Sequence, residues 1–288
     1  MLSAIASPRP ANMPAHATDR YFMADGARLR YRDEGIGPAV LLVHGWALDL
    51  EMWDGLGGAL REEFRVIRLD RRGFGRSSGR PALERDAADL AALWRHLALA
   101  EVALLGMSQG ARAVLRLAMC ADRTISCLVL DGPPDLDRGA VSDQDASYGD
   151  VPLGRYRALV RTAGMSAVRR EWAMHPLMRL RTVEPDAHRL LHAMLRRYPG
   201  NDLLEGAAEA GPADHPVRPE AIATPALVIT GEHDLPSRVK AADDLARRLP
   251  AADRAVIPSA GHLSNLDNPI AYHNRVRAFL RRHTSAPV

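Results

Sequence analysis

Two hydrophobic patterns alternate along the 288-residue chain. The first is a series of short, continuous apolar runs: Ala39-Val40-Leu41-Leu42-Val43, Val66 to Leu69, Val102 to Leu105, Cys127 to Leu130, Ala226 to Ile229 and Ala255 to Ile257. A strand with one wet face would alternate apolar and polar residues, so these six runs read as strands buried on both faces. The second pattern has helical spacing. Leu83, Ala87, Leu90, Trp94 and Leu97 recur three and four apart and predict a helix from Leu83 to Leu99. Near the C-terminus, Asn268 is an N-cap candidate with Pro269 behind it, and Val276, Phe279 and Leu280 share an inner face. Ahead of the first buried run, Arg20 to Ala24 and Ala27 to Asp33 flank Asp25-Gly26, the residues of a type I′ turn, which predicts a hairpin at the antiparallel edge of a sheet. Buried strands alternating with helices predict an α/β fold, a mostly parallel central sheet with helices on both faces.

Between Leu130 and Ala226 the alternation stops. Leu153/Tyr156/Val160, Val168/Trp172 and Leu191/Met194/Leu195 have helical spacing, and Gly211-Pro212 and Pro216 mark a return to the core. The expected organisation is a flexible extension over residues 1–18, a core made of 19–133 and 218–288, and a helical cap inserted at 134–217.

Hydrophobic residues make up 47% and charged residues 25%, as in ordinary globular proteins. The formal charge of +3 comes from interleaved acidic and basic residues with no long cationic run, so nucleic acid is not an expected partner. Lys240 is the single lysine. Cys120 and Cys127 lie in apolar contexts and read as two small core residues. Met1 to Ala6 is too short for a signal-peptide core, and no run of apolar residues is long enough to span a bilayer. A cytoplasmic protein with no membrane partner is expected, with its oligomeric state open.

The chemistry centres on Gly106-Met107-Ser108-Gln109-Gly110. A strand enters this G-x-S-x-G and a helix, about Gln109 to Cys120, leaves it, so Ser108 occupies a forced strand-to-helix turn. Side chains at Gly106 or Gly110 would collide where strand and helix meet, and strain is expected at Ser108. A serine hydroxyl needs a base. His262, in a glycine-containing turn after Ala255 to Ile257, is the candidate. The base needs an acid to fix its tautomer: Asp234, Asp131 and Glu232 all follow strands. The backbone N–H of Gln109, at a helix N-terminus, is available to a developing oxyanion. No H-E-x-x-H or similar spacing suggests a metal, and no cofactor is expected.

The order His44-Gly45-Trp46, Asp70-Arg71-Arg72-Gly73-Phe74-Gly75-Arg76-Ser77, the Ser108 elbow, a helical insertion, Gly231-Glu232-His233-Asp234 and Gly261-His262 resembles the α/β-hydrolase superfamily over roughly residues 20–283. The resemblance implies a triad of Ser108, Asp234 and His262, with Glu232 anchoring its loop. It also implies a second oxyanion donor in the Trp46 N–H, a structural role for the Asp70 to Ser77 loop, and a cap roofing the site. Trp172, Met174, His175 and Met178 are the roof candidates, with Trp172, His175 and Met178 taken as substrate-binding. Arg112 and Arg116, four apart on the helix after the elbow, read as surface ion-pairing residues.

Serine at the elbow sets aside the branches that use aspartate there, the haloalkane dehalogenases and epoxide hydrolases. Gly261-His262-Leu263-Ser264-Asn265-Leu266 resembles 3-oxoadipate enol-lactonase-like esterases, and Leu263 departs from the aromatic residue of the carbon–carbon bond hydrolases. His44 to Asp49, with Trp53 and Asp54, resembles the cofactor-free haloperoxidase branch, in which peroxide replaces water. The expectation is a serine hydrolase acting through an acyl-enzyme on an ester or lactone of a small, partly apolar substrate. The alternatives are a perhydrolase or carbon–carbon hydrolase with the same triad, or a non-catalytic ligand-binding protein of this fold.

Overall fold

The computed structural model describes residues 18–136, 150–204 and 217–284. The proposed extension, apart from its last residue, and the Gly211-Pro212 and Pro216 return signals lie outside the described residues. In chain order the elements are β1 (Arg20–Ala24), β2 (Ala27–Glu34), β3 (Ala39–Val43), α1 (Asp54–Leu60), β4 (Arg65–Leu69), α2 (Leu83–His96), β5 (Glu101–Met107), α3 (Gln109–Cys120), β6 (Thr124–Asp131), α4 (Leu153–Ala173), α5 (Pro185–Arg197), β7 (Ala226–Gly231), α6 (Pro236–Arg248), β8 (Ala252–Ile257), α7 (Ser264–Asp267) and α8 (Pro269–His283).

The described strands form one eight-stranded sheet in the order β1-β2-β4-β3-β5-β6-β7-β8. β1 and β2 are the expected hairpin, and Asp25 (φ 41°) and Gly26 (φ 73°) both have the positive φ that a type I′ turn requires. β2 runs antiparallel to β4, and every later pairing is parallel. β3, at the centre of the sheet, is apolar at every position because both faces are covered. One hydrophobic cluster holds Val40, Leu42, Ala103, Leu105 and Val129, and the other holds the alternate residues Leu41, Val43, Val102, Leu104 and Leu130. The chain leaves β3 toward β4 on one side and reaches β5 on the other. This reversal opens a crevice at the carboxyl ends of the strands, the usual ligand site of such sheets.

Three local expectations need correction. β8 is an edge strand paired only with β7, so it is not buried on both faces, and Val256 is 54% exposed. α2 ends at His96 instead of reaching Leu99, because Ala98 takes a positive φ of 49° and the Trp94 indole is tied to Leu99 O at 2.9 Å. Cys120 is exposed, since it closes α3 on the outer side, whereas Cys127 is buried as expected.

Between β6 and β7 the described elements are helical. α4 contains Gly164 at φ 74° and ψ 172°, which breaks it into two helical pieces. Leu153, Tyr156, Val168 and Trp172 of α4 and Leu191, Met194 and Leu195 of α5 are buried, and all belong to the hydrophobic cluster that contains Trp46 and Met107. These helices therefore cover the crevice side of the sheet. Among the described residues, no helix is long and apolar enough to cross a membrane.

Candidate active site

Ser108 sits between β5 and α3 at φ 53° and ψ −115°, a strained conformation for a non-glycine residue. Its N–H donates to Asp131 O at 2.7 Å, which holds the turn against the end of β6. The tightness of the elbow explains its glycines. A Cβ on Gly106 would lie 2.4 Å from Gly110 O, and one on Gly110 would lie 2.4 Å from Val43 O. Gln109 opens α3, so its N–H has no acceptor within the helix and faces outward at the positive end of the dipole.

His262 follows β8 on a loop that is heavily tied down. Gly261 N–H donates to Asp267 at 2.7 Å, Ser259 N–H to Glu232 at 2.8 Å, and His233 N–H to Ala260 O at 2.7 Å. Glu232 thus anchors this loop. His262 Nδ1 and Asp234 Oδ2 are 2.9 Å apart, with both side chains almost fully buried. A carboxylate at Nδ1 favours the tautomer with its proton there, leaving Nε2 with a lone pair. Asp131, the alternative acid, is engaged elsewhere. Ser264 Oγ lies 3.1 and 3.2 Å from its two oxygens, and burial, reinforced by the nearby Asp234 charge, pushes its pKa up to about 8. At neutral pH Asp131 is largely protonated and offers no charge to an imidazolium.

His44 and Trp46 come from the end of β3. His44 Nε2 accepts the Arg71 N–H at 2.9 Å, and Nδ1 donates to Gly45 O at 2.7 Å. Burial, together with the Arg71 charge, pulls the His44 pKa down to about 3, so it is a neutral structural residue. Arg71 also pairs with Asp86 and donates to Gln109 Oε1 at 2.7 Å, tying the Asp70 to Ser77 loop to the residue after Ser108. Asp70 accepts the Leu50 and Arg76 N–H groups, each at 2.8 Å, and pairs with buried Arg30. The polar groups of this loop are thus engaged by neighbouring parts of the protein, as a structural role requires. Arg112 is buried and donates to Asp135 O at 3.2 Å, which corrects its reading as a surface residue; Arg116 donates to Leu83 O at 2.8 Å.

Two cavities meet at Ser108. One, of about 230 Å³, is lined by Ser108, His262, Trp172, Leu177 and Met178. The other, of about 310 Å³, is lined by Ser108, Gln109, Pro134, Leu153 and Arg238. Trp46 and Val151 border both. The structure therefore brings Trp172 and Met178 beside Ser108. His175 lies behind Trp172, their rings 4.7 Å apart, and Met174 is 86% exposed. The Trp46 ring packs edge-on against Trp172 and Tyr198, and its Nε1 donates to Asp202 at 2.5 Å. Asp202 also accepts the Tyr198 hydroxyl at 2.6 Å. Sequence reasoning missed Asp202 and Arg238, because nothing local distinguishes them from many similar residues.

Comparison with known proteins agrees with this fold. Residues 38–269 match the α/β hydrolase fold family. The chain belongs to the α/β-hydrolase family. Within that family it is 26% identical over 270 residues to a putative 2-succinyl-6-hydroxy-2,4-cyclohexadiene-1-carboxylate synthase of Bacillus subtilis, covering 90% of this chain and 96% of that one. It is 25% identical to 3-oxoadipate enol-lactonase 2 of Acinetobacter baylyi, covering 85% and 89%. A thermophilic esterase from Thermogutta terrifontis superposes with a TM-score of 0.77 at 29% identity, covering 94% of this chain and all of that one (100%). The expected superfamily resemblance therefore holds. This α/β-hydrolase has esterase and lactonase relatives, and one relative is named a synthase.

Proposed function

We propose that the chain is a serine hydrolase that cleaves a carboxylic ester or lactone of a small, partly apolar substrate through an acyl-enzyme. The observation that carries this reading is the hydrogen bond between His262 Nδ1 and Asp234, made by a histidine that lines one cavity with a strained elbow serine. In this mechanism Ser108 Oγ attacks the acyl carbon while His262 Nε2 takes its proton. Asp234 holds the imidazole in the right tautomer and stabilises the imidazolium. The N–H groups of Trp46 and Gln109 receive the developing oxyanion. His262 returns the proton to the leaving alcohol, and a water, activated by the same nitrogen, releases the acid and regenerates Ser108.

The helices inserted between β6 and β7 act as a cap over this chemistry. Trp172 and Met178 give the leaving-group side an apolar wall, which favours a substrate with an apolar portion. Alkyl and aryl esters and lactones of graded size, assayed with the wild type and Ser108→Ala, test the proposal. Hydrolysis lost in Ser108→Ala supports it, and wild-type activity retained by Ser108→Ala contradicts it.

A further inference from the structure

One charged side chain in the site has no part in acyl transfer. Arg238 lies in the first turn of α6, is only 3% exposed, and lines the cavity that also contains Ser108 and Gln109. Its Nε donates to Asp150 Oδ2 at 2.9 Å, and Ser237 Oγ donates to the other oxygen of Asp150 at 2.8 Å. Its Nη1 is buried with no hydrogen-bond partner among the described residues.

Each feature of this placement is unfavourable without a ligand. A guanidinium taken out of water loses hydration that one partner only partly replaces. A cation in the first turn of a helix also meets the positive end of the helix dipole. Burial pulls the Arg238 pKa below the usual arginine range, against the opposing charges of Asp150 and Asp234. Arginine nevertheless stays charged at neutral pH. A methionine would fill the same space without these costs, and the ion pair with Asp150 leaves Nη1 unused. A buried donor of this kind calls for an acceptor, and the cavity is where one would come from.

We propose that Arg238 binds a carboxylate on the acyl portion of the substrate, so that the enzyme prefers half-esters of short dicarboxylic acids to neutral esters. The inference rests on the acyl-transfer reading above. The acyl side is assigned by chemistry: His262 must protonate the leaving alcohol, and it lines the other cavity, with Trp172 and Met178. The acyl chain then takes the cavity that holds Gln109 and Arg238, where Val151 and Leu153 flank its methylenes.

The test measures kcat/KM for monomethyl glutarate and monomethyl adipate against their chain-matched neutral esters, methyl pentanoate and methyl hexanoate. The wild type should favour the half-esters by about tenfold or more, mainly through KM, as expected for one charge-assisted hydrogen bond. Arg238→Gln should abolish the preference and Arg238→Lys should keep part of it. A wild type without preference overturns the proposal, as does an Arg238→Gln variant that loses both ester classes in the same proportion; Arg238 is then only a structural partner of Asp150. If Arg238→Gln fails to fold, the wild-type preference and its retention in Arg238→Lys still decide. Calorimetry on Ser108→Ala protein separates this inference from the reading beneath it. Monomethyl adipate should bind at least about tenfold tighter than methyl hexanoate. Such binding without wild-type turnover of any ester sinks the hydrolase reading and keeps the anion site, whereas turnover of neutral esters without half-ester binding does the reverse.

Discussion

Asp234 Oδ2 lies 2.9 Å from His262 Nδ1, and its Oδ1 accepts the Leu235 N–H at 2.7 Å. The second bond fixes the carboxylate, and the fixed carboxylate fixes the ring. Asp131 is bound to Ser264 and so is free of this task. Asp234→Asn should therefore lower kcat by roughly 10³–10⁴, because an amide stabilises the wrong tautomer. Asp131→Asn should lower it by less than about tenfold, since Asn still accepts the Ser264 hydroxyl. Steady-state kinetics of the two variants on one ester check this, and the reverse ranking would reassign the acid.

Asp131 has its own signature in stability. Its pKa rises from 3.8 to about 8 on folding, with burial the main cause. Between those values the folded chain keeps a proton that the unfolded chain has released, so stability falls as pH rises through that window. The Asp131 contribution is complete below about pH 4 and is lost as pH climbs past 8. Asp131→Asn should flatten the dependence of Tm on pH between about 5 and 8 relative to the wild type. Thermal melts across that range check it, and equal slopes in the two proteins would contradict it.

The elbow can be probed through Gly110. Alanine is the better helix former by about 1 kcal/mol, so propensity alone predicts stabilisation by Gly110→Ala. The new Cβ would lie 2.4 Å from Val43 O and 2.7 Å from His44 O, both backbone atoms that cannot swing aside. The clash should win, with a net loss of about 2 kcal/mol and a drop in Tm of roughly 4–8 °C. An unchanged Tm would mean that β3 and α3 are not in close contact.

Trp46 is held from the helical insertion. Asp202→Ala would leave the Trp46 indole N–H and the Tyr198 hydroxyl without their shared acceptor, at about 1–3 kcal/mol for each. Because the Trp46 N–H is a proposed oxyanion donor, kcat should fall more than KM rises. Melting and kinetics together check this; a stability loss with kcat intact would confine Asp202 to a structural role.

The strands and the elbow were legible in the sequence because their signals are local. Ala39 to Val43 is apolar at every position since both faces are covered, and Gly106 and Gly110 mark a close approach that side chains would block. His262 was legible as a candidate because its loop follows a strand. Edges were harder: Ala255 to Ile257 looks like a buried run, yet its openness depends on which strands lie beside it. The choice among Asp131, Asp234 and Glu232 turns on which carboxylate meets Nδ1 in space. Arg238 and Asp202 were invisible for the same reason. Their significance comes from a buried unpaired Nη1 and from a bond spanning 156 positions in sequence.

The most direct measurement is labelling with an active-site fluorophosphonate, read by mass spectrometry of the intact protein and of its peptides. Wild-type protein should gain one adduct, on the peptide containing Ser108, while Ser108→Ala gains none and His262→Ala labels far more slowly. A folded wild type that takes up no label, or takes it up at another residue, would contradict an activated Ser108.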